Sequence, residues 1–456
     1  MSFQNQRVAI AGMGVSGEAV AKAVQVHGGI PTVFDQKPAD TASIMPVIDR
    51  LQAKGIEAVA GWHGHLDPSE FDCLVVSPGF PRAHPAIKDM AGKPIISEVE
   101  FASRIAQAPI LAITGTNGKS TTTVMLWSIL KGAHQDAFLC GNIAGSGYPE
   151  MTLTEAALQA GPEAFLVAEI SSYQLEFVES FRPRVAAITN VTPDHMDRHP
   201  DFDDYRDTKM RIFDRIAGTD RAVINLDEPS ITAQTVRRKV QEERQIITFS
   251  PSGNQQGNGQ TRRHGDVLNL SGETVRLDSL PFAGEHNITN AMMAWEMACA
   301  VVKPSIGMLD GLRQFRGLAN RMEKLGEHRG IQVINNSMCT NPAAVIASSR
   351  AVPGRQHLLM GGNTKNLDFQ PVGEYLNGTP HEVYLFGPDP AKLQGMLGKP
   401  WPSYPSMEAA WHAATLAARP GDTILLAPGC ASAEPYVNFR ERGDAFKEMV
   451  KTWMAQ

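Results

Sequence analysis

Short apolar segments alternate with longer helical patterns along most of the chain, and many of these segments end at a glycine or a polar residue. The first is Arg7–Ala11, which is followed by a helical pattern and then by a second segment at Thr32–Asp35. This alternation is typical of βαβ units, in which helices cover buried parallel strands. We therefore predict an α/β protein built on parallel sheets.

The length of the chain predicts several domains, because 456 residues are too many for a single hydrophobic core. A boundary near Pro109 and another at Gly317–Arg321 divide the chain into residues 1–108, 109–317 and 318–456. Residues 250–266, rich in Gly, Asn and Gln, are expected to form a mobile hairpin loop. Further strands are predicted at 72–77, 110–113, 165–168, 185–191, 222–225, 332–334, 357–360, 382–386 and 423–427, and helices at 203–218, 288–301 and 442–453.

A glycine-rich turn follows the strand predicted at 110–113, and residues 115–121 read GTNGKST. Glycines let backbone N–H groups close on a phosphate, the start of a helix carries partial positive charge, and Lys119 adds a full charge. The strict P-loop pattern fails by one residue, because Ile113 stands where it requires glycine. An ordinary glycine loop is the alternative, but we favour phosphate binding and a P-loop ATPase-type α/β fold for the central domain.

A second glycine motif lies at the N-terminus. Residues 12–17 read GMGVSG between the first strand and the first helix, and Asp35 ends the next strand. This is the dinucleotide fingerprint of a Rossmann-like domain, which places a diphosphate on a helix N-terminus and a ribose near the acid. The pattern does not specify nicotinamide, and the glycines could also serve only close packing of helix and strand.

Polar residues follow several strands of the central domain. Glu169 and His195 come after predicted strands, and Ser120 follows the glycine turn. Ligands of open α/β sheets gather beyond the carboxyl ends of the strands, so these three side chains are candidate ligands of Mg²⁺ or of its waters. Lys209 lies on the apolar stripe of the helix predicted at 203–218. It could snorkel to water or reach an acid or the metal site, and the pattern leaves this open.

Composition excludes several classes of function. The net charge is −6 and no broad basic face is evident, so we expect no nucleic-acid partner. The five cysteines form no C-x-x-C pair, which fits a reducing cytoplasm without disulfides or a zinc site. No apolar stretch approaches the roughly 20 residues that cross a bilayer, and the N-terminus lacks the pattern of a signal peptide. We expect a cytoplasmic monomer without a membrane partner.

Six segments in order resemble one enzyme family. They are GTNGKST (115–121), AEISSYQLE (168–176), NVTPDHMDRH (190–199), YRDTKMRIF (205–213), GLANRME (317–323) and LLAPGCASAEPYVNFRERGDAF (425–446). Together they resemble the Mur ligases, ATP-dependent enzymes that add amino acids to the peptidoglycan precursor. The N-terminal glycine motif, SPG at 77–79 and GNI at 141–143 look like the family's glutamate-adding member.

The resemblance implies a UDP-binding first domain, an ATP-binding central domain and a third domain, Rossmann-like, that binds the amino acid. UDP-N-acetylmuramoyl-L-alanine would contact Gly14, Val15, Ser16, Asp35, Ser77 and Asn142. ATP would contact Gly115, Thr116, Asn117, Gly118, Lys119, Ser120, Thr121, Asn287 and Arg321. Two Mg²⁺ ions would be bound by Ser120, Glu169 and His195, and Lys209 would be carbamylated. Glutamate would lie near Lys365, Ser432 and Phe439.

The implied reaction transfers the γ-phosphoryl group of ATP to a carboxylate, and the amino group of glutamate then attacks the acyl phosphate. Lys119, His195 and Lys209 are the expected catalytic residues. The family usually has acids at the positions of Asn336 and Asn363 and a lysine at that of Met338. The loss of one cation and two acids changes the charge at the ATP–glutamate interface. We expect D-glutamate as the substrate and keep three alternatives: an L-glutamate-adding ligase, a folylpolyglutamate-synthase-like ligase and a non-catalytic nucleotide-binding regulator.

Overall fold

The computed structural model describes residues 3–195, 198–231, 236, 239–240, 242, 245–282, 284–365, 367–388 and 390–456. The chain forms two compact units. Unit 1 comprises Met1–Ala144 and Tyr148–Arg316, and unit 2 comprises Gly145–Gly147 and Gly317–Gln456. In the parts of the chain that are described, no helix combines the length and the apolar character needed to cross a membrane.

Unit 1 begins with a five-stranded parallel sheet in the order β3-β2-β1-β4-β5. Its strands are β1 (Arg7–Ala11), β2 (Ile30–Phe34), β3 (Glu57–Val59), β4 (Cys73–Val76) and β5 (Ile95–Ser97). Its helices are α1 (Val15–Val26), α2 (Met45–Gln52), α3 (Pro85–Asp89) and α4 (Glu98–Ile105). Crossover helices cover a buried apolar sheet, as the alternation of patterns predicts.

The second sheet of unit 1 has seven strands in the order β12-β11-β10-β6-β9-β7-β8. They are β6 (Ile110–Thr114), β7 (Ala137–Gly141), β8 (Glu150–Met151), β9 (Phe165–Glu169), β10 (Val185–Ile188), β11 (Arg221–Asn225) and β12 (Ile246–Phe249), all parallel. The helices are α5 (Lys119–Gly132), α6 (Leu153–Gln159), α7 (Ser172–Leu175), α8 (Phe202–Met210), α9 (Glu285–Cys299) and α10 (Ile306–Arg313). Every residue of β6 is buried, so the strand that leads into the glycine turn lies in the core.

A small antiparallel sheet completes unit 1, with strands β13 (Thr261–His264), β14 (Val267–Leu270) and β15 (Glu273–Arg276). The buried Glu296 carboxylate accepts hydrogen bonds from Thr261 N at 2.6 Å and from Thr261 Oγ1 at 2.7 Å. The predicted hairpin loop at 250–266 is therefore wrong at its C-terminal end. The hydrogen bonds from Thr261 to Glu296 of α9 hold β13 in place, and the composition of residues 250–266 does not indicate this contact.

Unit 2 contains a six-stranded sheet in the order β16-β17-β21-β18-β19-β20, in which only the β16–β17 pair is antiparallel. The strands are β16 (Glu323–His328), β17 (Ile331–Asn335), β18 (Gln356–Gly361), β19 (Glu382–Phe386), β20 (Ser403–Tyr404) and β21 (Thr423–Leu426). The helices are α11 (Pro342–Arg350), α12 (Gln370–Asn377), α13 (Pro390–Leu397), α14 (Met407–Ala417) and α15 (Phe439–Met454). The predicted α/β class with parallel sheets is confirmed.

Several predicted elements differ by a few residues at their ends; the helices predicted at 288–301 and 442–453, for example, begin three residues earlier, at Glu285 and Phe439. Two further differences bear on the site. The helix predicted at 203–218 ends at Met210 and continues as a 3₁₀ turn at Arg211–Phe213. The strand predicted at 185–191 ends at Ile188. The residues that follow it turn towards the glycine loop, which uses their polar groups.

Candidate active site

The glycine turn after β6 has a backbone that only glycine adopts easily. Gly115 has φ +146° and Gly118 has φ +81°. A Cβ at Gly115 would lie 1.9 Å from Thr189 Oγ1, and one at Gly118 would lie 2.6 Å from Asn290 Oδ1. Both glycines are therefore required by conformation and by close approach. Helix α5 begins directly after the turn, so its free N–H groups face the loop.

The residues after β10 hold this turn in place. Thr116 N donates to Asn190 O at 2.9 Å, and Asn117 N donates to Asn190 Oδ1 at 2.9 Å. Thr189 Oγ1 donates to Asn117 O at 2.6 Å. Sequence reasoning missed Thr189 and Asn190 as supports of the loop. Their position just after a central strand was the available signal.

Three candidate residues begin helix α5. Lys119 is the first residue of the helix, and its Nζ donates to Thr116 O at 3.0 Å. Ser120 and Thr121 follow in the first turn. A lysine, a hydroxyl pair and a helix N-terminus together give this end of the sheet a positive potential that suits a polyphosphate.

Glu169 ends β9, and it pairs in register with Ile113 of β6. Its side chain is buried, and Oε1 accepts a hydrogen bond from Asn142 Nδ2 at 3.3 Å. Oε2 is buried and has no hydrogen-bond partner among the described residues. A buried carboxylate oxygen without a partner is costly, and a divalent cation would compensate for that cost. The donor set of Glu169 and Ser120 is all oxygen, which suits Mg²⁺.

Lys209 lies in α8 with its side chain buried, and its Nζ donates to Gly115 O at 2.9 Å. The same Nζ lies 4.6 Å from the centroid of the Tyr205 ring. Burial and then the charge of Lys119 lower the pKa of Lys209 to about 7, although Asp194 and Glu169 act in the opposite direction. The structure thus brings Lys209, Lys119 and Glu169 into one electrostatic site.

Tyr205 adds a second link between α8 and the glycine turn. Its hydroxyl is 3.1 Å from Thr116 Oγ1, and burial raises its pKa to about 12. Tyr205 and Lys209 are four residues apart and so lie on one face of the helix. Tyr205 was predicted only as an apolar position.

His195 lies beyond β10 in a left-handed conformation, with φ +56°. Its Nδ1 is 3.0 Å from the Tyr173 hydroxyl, and its Nε2 is 3.6 Å from Asp194 Oδ2. The ring is about half exposed and is open to a ligand. The next two residues of its motif, 196 and 197, lie outside the described residues.

The candidate metal ligands form no closed cage. Within the described ranges, no three His, Cys, Asp or Glu side chains cluster as a metal site. Mg²⁺ commonly uses one or two carboxylates and completes its coordination with substrate phosphates and water. An open site of this type is therefore compatible with Mg²⁺ bound together with a nucleotide.

The N-terminal glycine motif forms a second tight turn. A Cβ at Gly12, whose φ is +109°, would lie 2.5 Å from Ser77 Oγ, and one at Gly17 would lie 1.9 Å from Gly12 O. Asp35 Oδ2 accepts a hydrogen bond from Met13 N at 2.9 Å, and Oδ1 accepts one from Lys37 N at 2.9 Å. The carboxylate of Asp35 therefore fastens the turn.

Three further candidates stand where this turn enters α1. Gly14 precedes the helix in an extended conformation without a side-chain cap, and Val15 and Ser16 follow. The side chain of Val15 is 71% exposed. An exposed apolar residue beside uncapped helix N–H groups is available for contact with a ligand.

In unit 2, two loops meet at the ends of parallel strands. Asn363 and Ala431 exchange backbone hydrogen bonds of 2.9 Å in both directions. This pairing joins the loop that carries Lys365, in a left-handed conformation with φ +52°, to the loop that carries Ser432. Ser432 Oγ is buried without a hydrogen-bond partner in the described part of the chain. The hydroxyl is therefore available to a polar ligand.

Arg442 of α15 connects the loop that carries Ser432 to the loop after β17, and sequence reasoning missed it. Its buried guanidinium donates from Nη2 to Ser337 O at 2.8 Å and from Nη1 to Cys430 O at 3.2 Å. Burial lowers its pKa to about 10. Ser337 Oγ in turn donates to Phe439 O at 2.7 Å. The apolar spacing from Phe439 to Phe446 placed Arg442 on the buried face, which was the available signal.

The structure gives hydrogen-bond partners for Arg321 and for two positions, Met338 and Asn336, where the chain departs from the family pattern. Arg321 donates from Nη2 to Met338 Sδ at 3.2 Å, so the methionine that replaces a family lysine accepts from this guanidinium. Asn336 is buried, accepts from Met322 N and donates to Ser348 Oγ. Its amide is thus used within unit 2.

Asn287, the remaining nucleotide candidate, lies in the first turn of α9. It is three residues before Asn290, the side chain that closes on Gly118. Helix α9 therefore brings an amide close to the glycine turn.

Comparisons with known proteins agree with these observations. The profile of the Mur ligase middle domain matches residues 113–298, and that of the Mur ligase glutamate ligase domain matches residues 320–430. The UDP-N-acetylmuramoylalanine–D-glutamate ligase of Acidobacterium capsulatum is 35% identical over 99% of this chain and 97% of its own length.

Two solved structures share the fold. A pseudomurein peptide ligase type C from Methanothermus fervidus is 18% identical with a TM-score of 0.55, covering 98% of this chain and all of its own. E. coli FolC in complex with DHPP and ADP is 17% identical with a TM-score of 0.56, covering 80% of this chain and 96% of its own. The chain therefore belongs to the Mur ligase family, and it is similar along its whole length to that family's UDP-N-acetylmuramoylalanine–D-glutamate ligases.

Proposed function

We propose that this protein is an ATP-dependent ligase that adds D-glutamate to UDP-N-acetylmuramoyl-L-alanine in peptidoglycan synthesis. The observation that carries the proposal is the arrangement of Lys119, Glu169 and Lys209 around the glycine turn. It occurs in a chain that matches a D-glutamate ligase over nearly its full length. Distant fold similarity to FolC, at 17% identity, does not favour folate chemistry.

Residues 115–121 of unit 1 bind the phosphates of ATP, and Asn287 of the same unit is a further nucleotide contact. Arg321, the other nucleotide contact that the family resemblance implies, lies in unit 2 and stays a prediction. The N–H groups at the start of α5 and the Lys119 ammonium bind the phosphates. Ser120, Glu169 and His195 would hold Mg²⁺, which neutralises phosphate charge and polarises the phosphoryl group.

The reaction activates the carboxylate of the muramoyl-alanine substrate. One of its oxygens attacks the γ-phosphorus of ATP, the bond to the bridging oxygen of ADP breaks, and an acyl phosphate forms. The amine of D-glutamate attacks the carbonyl carbon, loses a proton, and phosphate leaves. Lys119 stabilises the negative charge on the transferred group, because the ammonium is already fixed beside the turn.

Lys209 is the proposed site of carbamylation. A pKa of about 7 leaves a large fraction of its amine neutral at physiological pH. The neutral amine attacks CO₂, forms an N–C bond and releases a proton, which leaves a carbamate anion that keeps one N–H. That anion would complement Mg²⁺ and relieve the repulsion between Lys209 and Lys119.

The two other substrates have separate sites in this proposal. The N-terminal glycine turn binds the UDP group through Gly14, Val15, Ser16 and Asp35, and Ser77 and Asn142 extend this site. Lys365, Ser432 and Phe439 of unit 2 bind glutamate; the unpartnered Ser432 Oγ supports this. We also propose three domains at 1–108, 109–317 and 318–456, and a monomer located in the cytoplasm.

Phosphate release by the purified full-length protein tests the proposal. We expect release that requires ATP, Mg²⁺, UDP-N-acetylmuramoyl-L-alanine and D-glutamate together. Release that occurs with L-glutamate and does not occur with D-glutamate, the other components being present, would overturn the choice of enantiomer. Release that does not depend on the muramoyl nucleotide would overturn the substrate assignment, and no release above that of a Lys119→Ala variant would overturn the enzymatic role.

A further inference from the structure

Arg82 links the first sheet of unit 1 to the helix that carries Lys209. It lies in the loop that leaves β4 and begins at Ser77. Its Nη1 lies 3.1 Å from both carboxylate oxygens of Asp204, and its Nη2 donates to Thr208 Oγ1 at 3.1 Å. Asp204 and Thr208 are separated by about one helical turn, so the Arg82 guanidinium binds two residues on one face of α8.

The neighbouring face of the same helix contacts the glycine turn. Tyr205 and Lys209, each one position further along, contact the glycine turn through the Tyr205 hydroxyl and Lys209 Nζ. Helix α8 has only nine residues, from Phe202 to Met210. A rotation of this short helix would move both faces together.

A buried carboxylate strengthens the link. Glu176, whose side chain is 1% exposed, lies 3.2 Å from Arg82 Nε. Arg198 donates to the same carboxylate from Nε at 3.0 Å and to Phe80 O from Nη2 at 2.6 Å. The loop after β4 is therefore held at Phe80 and at Arg82 by residues that follow β9 and β10, and Glu176 contacts both guanidinium groups.

His199 closes the network on the side of α8. Its Nδ1 is 2.6 Å from Asp204 Oδ2, its Nε2 is 3.3 Å from Ser172 Oγ, and the ring is fully buried. Asp204 therefore has two partners, one from the first sheet and one from the loop after β10. Removing Arg82 would leave His199 as the described side-chain partner of the Asp204 carboxylate.

We infer that Arg82 is a positioning residue that orients Lys209 against the glycine turn and couples it to the loop beginning at Ser77. The inference rests on the proposed function, in which Ser77 contacts the UDP substrate and Lys209 serves the ATP site. Placement of substrate on the first sheet would thus be transmitted to the lysine through the contacts of Arg82 with Asp204 and Thr208.

The expected loss of rate on replacing Arg82 is much larger than the expected loss of stability. The Arg82 side chain is 35% exposed, and Glu176 keeps Arg198 as a partner when Arg82 is removed, so we expect only a modest loss of stability. A displacement of about 1 Å at a catalytic group can lower the rate about 100-fold. An Arg82 variant should therefore lose turnover while keeping most of its stability.

The test compares Arg82→Ala with Arg206→Ala. Arg206 lies on the same helix and pairs with Asp203 at 2.9 Å and with Asp207 at 3.0 Å. We expect Arg82→Ala to lower kcat by about 10- to 100-fold while the KM for ATP changes by less than about threefold. Arg206→Ala should keep kcat within about twofold of the wild type. Free guanidinium should restore part of the activity of Arg82→Ala and none in the control.

A second readout does not depend on turnover. ¹³C NMR with ¹³C-bicarbonate detects the carbamate on Lys209, and we expect Arg82→Ala to need about tenfold more bicarbonate for half occupancy. Asp204→Asn, an isosteric change, should reproduce both effects and should not add to Arg82→Ala, which keeps the test valid if the alanine variant folds poorly.

The outcomes separate the two proposals. A wild-type protein without glutamate-dependent phosphate release would overturn the proposed function and this inference with it. An active wild type together with an Arg82→Ala variant that matches Arg206→Ala in kcat and in carbamate occupancy would overturn this inference alone.

Discussion

Replacing Lys209 with methionine should abolish ligase activity and at the same time stabilise the folded protein at neutral pH. Methionine has a similar length and no charge, so it removes a cation from a buried position. The lysine is kept there because the proposed reaction needs it. A stabilising change that destroys function is expected where an active site holds an unfavourable group.

The magnitude follows from the pKa. Burial and Lys119 lower the pKa of Lys209 from an ordinary value near 10.5 to about 7. At pH 7 this makes the folded state less favourable by about 4 kcal/mol than it would be with a neutral side chain. The substitution also leaves Gly115 O without its donor, which costs about 1–3 kcal/mol. We expect a net stabilisation of about 1–3 kcal/mol, or a rise of a few degrees in Tm.

The pH dependence has a definite sign. The folded pKa of Lys209 lies below that of the unfolded chain, so the unfolded chain binds more protons between about pH 7 and 10.5. The stability of the wild type therefore rises relative to the variant across this range. By pH 9 the unfavourable contribution of Lys209 falls to about 2 kcal/mol, and the advantage of Lys209→Met narrows.

Thermal unfolding in degassed buffer without nucleotide, Mg²⁺ or bicarbonate measures this effect at pH 7 and pH 9. Lys451→Met is the matched control, because the Lys451 side chain is 79% exposed and its loss should leave Tm unchanged. A Lys209→Met variant that is no more stable than the wild type at pH 7 would refute the reasoning. An advantage that grows from pH 7 to pH 9 would refute it as well.

Three further substitutions test the site. Glu169→Gln should lower phosphate release by about 100-fold and raise the Mg²⁺ concentration needed for the half-maximal rate. A Mg²⁺ titration of the rate measures this, and a half-maximal concentration equal to that of the wild type would exclude Glu169 as a ligand. Gly118→Ala should weaken ATP binding measured by calorimetry, because the added Cβ would lie 2.6 Å from Asn290 Oδ1. Gly161→Ala is the control and should bind ATP as the wild type does, because a Cβ there would meet no atom within 4 Å. Arg442→Lys should raise the KM for glutamate by about tenfold and leave the KM for the muramoyl nucleotide unchanged; equal effects on both would indicate general damage.

The local parts of the fold could be predicted from the sequence. Strands such as Ile110–Thr114 are continuous apolar runs, and the glycine turn after this strand has its own signature. The carboxyl ends of parallel strands lie at one edge, so the approach of Glu169 to the turn follows from topology.

The remaining features depend on contacts between residues that are far apart in sequence. The pattern left the role of Lys209 open, because its partner Gly115 O is 94 residues away. Arg82 and Asp204 are 122 residues apart, and nothing in their local sequences connects them. The end of α8 at Met210 coincides with bonds from Arg211 to the carbonyl oxygens of Glu176 and Val178, which local propensity does not encode.

An isotope-transfer experiment tests the central claim, activation of the substrate carboxylate by phosphoryl transfer at the glycine turn, most directly. UDP-N-acetylmuramoyl-L-alanine labelled with ¹⁸O in its carboxylate is incubated with ATP, Mg²⁺, D-glutamate and the protein, and the released phosphate is analysed by mass spectrometry. We predict that each phosphate carries one ¹⁸O atom, because the acyl phosphate keeps the attacking carboxylate oxygen when it leaves. Phosphate without the label would contradict the claim.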